Sequence, residues 1–397
     1  DVSDLTKGKN KIWNNGGKSM KKKVLGLLTS FALVFISITN VFAVGQEAGM
    51  LQSYLKNNYE SFLNSDAYLD YRYMTLGLGS MQVFGDDQVD IFKIKDYDFK
   101  NEYASNLGMD IAALISIGIN PNQVTNSSGI SYNLVSMLET YVRENGAVIK
   151  DENGLQPTAL QQALALIGLE TSNAEYNKEA AAMYLIGQQD ESGSYISYGD
   201  KSPDVTGWAI AALASINRKL NSQEITNSIN KSVNWLMKTQ NQDGGWCYTY
   251  GQGISSASSV ASVLFGLIEY DADGVKNGDY NNNVNINPYD TLLTFQNSDG
   301  SFAESVGGDE NPYAMSQCAW AISAYTYGPL IRQLSIKCDK LVNGNEEEQT
   351  KPAPMPDPIT PSAPADKPIA SVKTGDDAVV ALTVSSLIIS GGMYLFI

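Results

Sequence analysis

One short pattern returns three times in this chain: Gln, three residues, Gly, Gly or Ser, then an aromatic. It reads Gln189…Gly193-Ser194-Tyr195, then Gln240…Gly244-Gly245-Trp246, then Gln296…Gly300-Ser301-Phe302. A fourth copy, Gly146-Ala147-Val148, stands upstream without the Gln. The four glycines lie 47, 51 and 56 residues apart. Self-similarity at such a period signals repeated supersecondary units that bury their apolar faces on one another.

Each strong copy ends a helix-like run: Asn177–Gln189, Ile225–Gln240 and Pro288–Gln296. The Gly suits the left-handed position that stops a helix. A second, more apolar helix follows each motif, giving Thr158–Leu169, Asp204–Ile216, Ser255–Glu269 and Pro312–Tyr325. Pro157 and Pro312 suit a first turn, and Asp204 and Ser255 suit caps. These second helices are Ala-rich with few charges, as expected of helices surrounded by other helices. The first helix of each unit is amphipathic, with Lys231 and Lys238 opposite Val233, Trp235 and Leu236. An inner ring of apolar helices inside an outer amphipathic ring predicts an all-α, closed α/α toroid. Tyr103–Ile119 with Ile130–Glu144 reads as a further pair and Gly49–Leu63 as a further helix, for about eleven helices in close to six hairpins.

The stretches KSVNWLMKTQNQDGGW and DTLLTFQNSDGSF, with SPDVTGWAIAAL, resemble the repeat shared by squalene–hopene cyclases and protein prenyltransferase β-subunits. The resemblance covers roughly residues 100–330. It implies that the motif Gln and aromatic are scaffold: the Gln bonds helix ends and the aromatic packs between hairpins. Gln240 and Trp246 are read accordingly. It also implies a cavity that opens where the inner helices begin. Carried onto this chain, that mouth holds Thr158, Gln161, Asp204, Thr206, Trp208, Ser255, Ser258, Tyr313, Ser316 and Gln317 as candidate ligand contacts. N-capping and core packing are the plainer reading of each residue taken singly.

The chain lacks the chemistry of the resembled enzymes. It has no His, so neither the Asp/Cys/His zinc site of prenyltransferases nor Ser-His-Asp catalysis can be assembled. The Asp-x-Asp-Asp acid of squalene–hopene cyclases is absent. Cys318 lacks the Cys-x-Glu-Gln context of thioester domains that share the toroid. Asp86-Asp87-Gln88-Val89-Asp90 matches a magnesium-diphosphate motif but lies outside the repeats, and is read as a solvated acidic turn. Asp271-Ala272-Asp273-Gly274 starts like a calcium loop without its later ligands, and is read as a surface loop. No metal or other cofactor is expected. Cys247, Cys318 and Cys338 are too few for a disulfide framework, and the first two read as small buried residues, while pairing of Cys318 with Cys338 stays open.

The ends suggest export. Residues 1–19 read as a translated leader. Met20-Lys21-Lys22-Lys23 opens an apolar stretch ending in a small-residue cleavage pattern at Ala43, a signal peptide over residues 20–43 in a bacterial source, with a membrane anchor as the rival. The toroid domain then spans 44–342. Residues 343–372 form an acidic, Pro-rich spacer reaching up to ~90 Å. Residues 373–397 follow, where Thr374-Gly375 before an apolar segment resembles a Gram-positive sortase signal; a plain transmembrane anchor is the alternative. The expected location is extracellular and anchored at the cell surface, with sortase or the membrane as anchoring partner. The net charge is −16, and residues 1–43 hold seven of the 27 basic but two of the 43 acidic side chains. The remaining chain is strongly acidic, which disfavours nucleic acid as a partner.

Two functions fit. One is a binding or adhesion module for a neutral small molecule or glycan, without catalysis. The other is a carboxylate-dependent enzyme on the same toroid: a glycoside hydrolase or lyase, or a diverged terpenoid cyclase. Asp204 with Glu304, Asp309 or Glu310 are its candidate catalytic groups.

Overall fold

The computed structural model describes residues 45–62, 71–83, 98–150, 155–248 and 253–344. All belong to the first of two compact units, Asp1–Pro358. The expected leader, signal peptide, Asp86–Asp90 turn, Thr374-Gly375 signal and terminal apolar segment lie outside them, as does nearly all of the spacer.

The helices are α1 (45–62), α2 (Tyr71–Ser80), α3 (Ala104–Ser116), α4 (Leu134–Thr140), α5 (Ala159–Thr171) and α6 (Lys178–Ile186). They continue with α7 (Pro203–Leu220), α8 (Gln223–Thr239), α9 (Ala257–Asn277), α10 (Pro288–Leu293), α11 (Pro312–Tyr327) and α12 (Leu330–Asn343). Two antiparallel hairpins, β1 (Val124–Thr125) with β2 (Ser131–Tyr132) and β3 (Tyr195–Ser197) with β4 (Asp200–Ser202), are loop decorations.

Six helices form the inner ring. α2 packs on α3, α3 on α5, α5 on α7, α7 on α9, α9 on α11, and α11 returns to α2. Their small residues allow close approach. A Cβ on Gly168 of α5 would stand 2.2 Å from the Cα of Gly108 on α3. A Cβ on Gly266 of α9 would stand 2.2 Å from the carbonyl of Gly207 on α7. Both pairs join the fifth residue after one N-cap to the tenth after the next N-cap, so the repeat reaches the crossing geometry itself.

The motif links each hairpin to the next. Gln189 Nε2 donates to the Gly193 carbonyl at 3.2 Å and to Ser228 O of α8 at 2.9 Å. Gln240 donates to Gly244 O at 2.8 Å and to Tyr280 O, ahead of α10, at 3.4 Å. Gln296 donates to Gly300 O at 3.3 Å and to Glu47 O of α1 at 3.1 Å, joining the last repeat to the first described helix. In the copy without the Gln, Gln162 of α5 takes over. It donates to Gly146 O at 2.8 Å and Ala181 O at 3.4 Å, and accepts from Val148 N at 2.9 Å. Gly193 has φ +104° and presses on α8, where a Cβ would meet Lys231 O at 2.3 Å. Tyr195, Trp246 and Phe302 are buried, and Trp246 Nε1 donates to Leu236 O at 2.9 Å. These contacts match the scaffold role expected for the motif.

One helix lies beyond those that the sequence reading named, and one expectation changes. α12 is not an outer-ring helix. It lies across the ends where inner helices finish: Ile331 N donates to Glu269 Oε1 of α9 at 2.7 Å, Lys337 Nζ to Ser116 O of α3 at 3.0 Å, and Asn173 Nδ2, just beyond α5, to Ser335 O at 2.9 Å. Leu330, Ile331, Leu334 and Cys338 face inward, so α12 closes one end of the ring. The Asp271 stretch is a kinked continuation of α9 and not a loop. Asp271 Oδ1 accepts from Gly274 N at 2.9 Å and Oδ2 from Tyr280 Oη at 3.0 Å, which restarts the helix and occupies both oxygens. Cys247, Cys318 and Cys338 are unbridged and buried. Among the described residues no helix is long and apolar enough to cross a membrane.

Candidate functional site

The repeat decides what surrounds the ends at which the inner helices begin. Inner helices α7, α9 and α11 have Ser202, Ser256 and Asn311 at their N-caps. The second residue beyond each cap is Asp204, Ser258 and Tyr313. Two residues beyond the motif aromatics stand Ser197, Tyr248 and Glu304. These positions meet. Ser258 Oγ donates to Glu304 Oε1 at 2.5 Å, and the hydroxyls of Ser197 and Tyr248 lie 2.9 Å apart. Ala257 N donates to Glu304 O at 3.1 Å, tying the third motif loop to the start of α9.

Asp204 and Glu304 form the chemical centre. Asp204 Oδ1 and Glu304 Oε2 are both enclosed and have no hydrogen-bond partner in the structure. Enclosure pushes the Asp204 carboxyl up from its ordinary 3.8 to about 6; a hydrogen bond from Ser259 opposes this, and the Glu304 charge adds to it. Tyr313 is shifted upward by burial, then by the charge of Asp204, with Glu304 and Tyr248 adding to the rise. The buried carboxylates of Glu170, Glu269 and Asp110 are neutralised. Glu170 has Lys178 at 2.7 Å and Lys219 at 3.3 Å, Glu269 has Arg218 at 3.0 Å, and Asp110 has Arg72 at 2.8 Å. None of the described ion pairs involves Asp204 or Glu304.

Beneath them the ring is filled with aromatics. Trp208, one turn below Asp204, meets Phe265 of α9 at 5.3 Å and Trp320 of α11 at 5.5 Å between ring centroids. The second contact spans α9. Tyr73 of α2 continues the strip, 5.3 Å from Trp320 and 6.5 Å from Tyr313. Gln317 accepts from Ser262 Oγ at 3.0 Å on the wall.

The other sequence candidates are engaged elsewhere. Thr158 and Gln161 are exposed and form a capping box with each other. Thr206 donates to Ser202 O at 2.7 Å and accepts from Tyr195 N at 3.0 Å. Ser255 donates to Asp243 at 2.6 Å inside the second motif loop. Ser316 donates to Tyr313 O at 2.8 Å and packs on Gly77. Glu310 accepts from Tyr54 of α1, and Asp309 is exposed. The residues gathered where the inner helices begin are therefore Asp204, Trp208, Ser258, Tyr313, Gln317 and Glu304. Tyr248, Ser259 and Trp320 join them without having been sequence candidates. Tyr248 was accessible by offset, since it follows Trp246 as Glu304 follows Phe302.

The residues do not fit a zinc site. No group of three or more Cys, Asp or Glu side chains is gathered among the described residues, and the chain has no His. Comparison with known proteins agrees with the fold. Residues 177–350 match the model of the prenyltransferase alpha-alpha toroid domain. Protein geranylgeranyltransferase-I from Candida albicans superposes with a TM-score of 0.51 at 13% identity, covering 74% of this chain and 98% of that one. The type II terpene cyclase MstE from Scytonema gives 0.51 at 13% identity, covering 74% and 99%. No curated protein sequence matches.

Proposed function

We propose, from the premise that residues 177–350 carry a prenyltransferase-type alpha-alpha toroid domain, that the mouth of the ring is the active centre of a carboxylate-dependent hydrolase acting on a neutral, sugar-like substrate. The observation that carries this reading is the enclosed, cation-free pair Asp204 and Glu304 with one unpartnered oxygen each. The buried Glu170 and Glu269, by contrast, each carry a cation partner. In this reading Asp204, whose carboxyl is pushed up to about 6, is the proton donor. Asp204 then donates to the leaving oxygen of the substrate, while Glu304 Oε2 takes a proton from the attacking water. One water is consumed, and the pair returns to its starting protonation by exchange with solvent. Ser258 holds Glu304 in place, and the half-exposed Tyr313 offers a face to an apolar sugar surface.

The test is release of reducing ends from a panel of neutral polysaccharides. Wild-type protein is expected to release them, with loss of at least a hundredfold in Asp204→Asn and Glu304→Gln. Retained activity in both variants refutes the assignment. Squalene and farnesyl diphosphate are expected to be left unchanged. Binding of the glycan by wild type without turnover favours the second reading, a binding module, which the partly exposed Tyr248 and Tyr313 also suit. Under either reading the domain is exported and held at the cell surface through residues 373–397.

A further inference from the structure

The hairpin β3–β4 turns through two residues, Tyr198 and Gly199, both with positive φ, +49° and +93°. Such turns favour Asn-Gly or Asp-Gly, because a side chain as bulky as Tyr is strained in the left-handed region. Tyr198 is also 98% exposed, so neither packing nor burial compensates for its conformation. The fold retains a residue here that local physics disfavours twice, which points to a role outside the fold.

The hairpin leads directly into Asp204. Its Ser197 hydroxyl is 2.9 Å from that of Tyr248, which is 44% exposed. Tyr313, the second residue beyond the N-cap of α11, is 49% exposed. Tyr198 at the hairpin tip, Tyr248 two residues beyond Trp246 and Tyr313 at the start of α11 are thus three partly or fully exposed tyrosines. They offer flat faces edged by hydroxyls and no formal charge, a surface matched to neutral pyranose rings in series.

We propose that Tyr198 and Tyr248 form outer subsites that hold further units of an extended neutral glycan, making the protein specific for polymer over short oligosaccharide. This rests on the active centre proposed above. A membrane surface is the competing occupant, disfavoured by the acidic chain.

Affinity electrophoresis through gels containing soluble neutral polysaccharides (glucan, mannan, galactan and xylan) tests it, with oligosaccharides of two to eight units from the retarding polymer. Tyr198→Asn is expected to melt at or above the wild-type temperature, because Asn suits the turn, yet to bind polymer about tenfold more weakly. Its affinity for the disaccharide should be unchanged, and Tyr198→Trp should restore polymer binding. Equal polymer binding by wild type and Tyr198→Asn overturns the proposal, as does the absence of retardation by every polymer. Uptake of the protein onto phosphatidylcholine vesicles that is lost in Tyr198→Asn also overturns it. Asp204→Asn separates the two claims: it should keep polymer binding while losing turnover, so lost turnover with intact, Tyr198-dependent binding leaves the subsites standing by themselves.

Discussion

At the residue scale, Asp204 ties stability to function. Its carboxyl is pushed from 3.8 to about 6 in the folded chain, mainly by enclosure. Below about pH 3.8 folded and unfolded chains both hold the proton, and the residue costs no stability. As pH rises toward and through about 6, the unfolded chain ionises freely while the folded chain ionises an enclosed group, so stability falls. Asp204→Asn should therefore raise Tm by about 2–4 °C at pH 7.5 and leave it unchanged near pH 4, measured by thermal denaturation. An increment that is the same at both pH values would refute the enclosure. Activity should decline over the same interval as the acid loses its proton. Trp246 shows the opposite case, a residue with a large side chain and no site role. It is 1% exposed and bonded to Leu236 O. Trp246→Ala should cost ~3–5 kcal/mol, read from urea denaturation, with ligand affinity unchanged in whatever fraction remains folded.

At the element scale, the inner ring depends on glycine crossings. Gly266→Val places a side chain against the Gly207 backbone, where even a Cβ has 2.2 Å. Neither backbone can yield without moving α7 from α9, which would shift Asp204 relative to Ser258. A loss of at least ~1–3 kcal/mol is expected, together with weakened ligand binding, since both helices carry the mouth. Unchanged Tm would show that the helices separate without cost. The sequence made α5 to α11 legible because their apolar faces and helix starts recur at the repeat period. It did not reveal α12 as the closure of one end. Its amphipathic pattern, with Leu330, Leu334 and Cys338 on one face, fits an outer helix equally well. What decides is the set of partners: carbonyls and the Glu269 carboxylate at the ends of inner helices, brought together only by the closed ring.

At the scale of the whole molecule, α12 ends at the closed side of the ring, and the acidic, Pro-rich segment follows it in sequence. We expect that segment to serve as a stalk and residues 373–397 as the anchor. Deleting Ser371–Ile397 should release folded domain into the medium, followed by immunoblotting of culture supernatant and cell fractions. Protein that stays cell-bound would exclude C-terminal anchoring. Replacing Thr374 distinguishes the two modes, because only sortase transfer requires that carbonyl.

The sequence by itself determined the toroid. Three motif copies specify where helices stop, where glycine takes positive φ, and which aromatics are buried, all through contacts within a repeat or to the next. It also marked Asp204 and Glu304 as candidates, although alongside Asp309 and Glu310, which differ from Glu304 by only five or six positions. Sequence proximity carries no information about which side of a turn faces the ring axis. Only the tertiary structure separated them: the Ala257–Glu304 bond turns Glu304 inward beside Ser258, while Glu310 meets Tyr54 of α1, outside the inner ring. The same closure distinguishes Thr206, bonded within the scaffold, from Trp208 two residues later at the floor of the mouth. Repeats encode the local bonds that build each hairpin. The direction in which a polar side chain points is set by its neighbours across the ring, which exist only once the ring has closed.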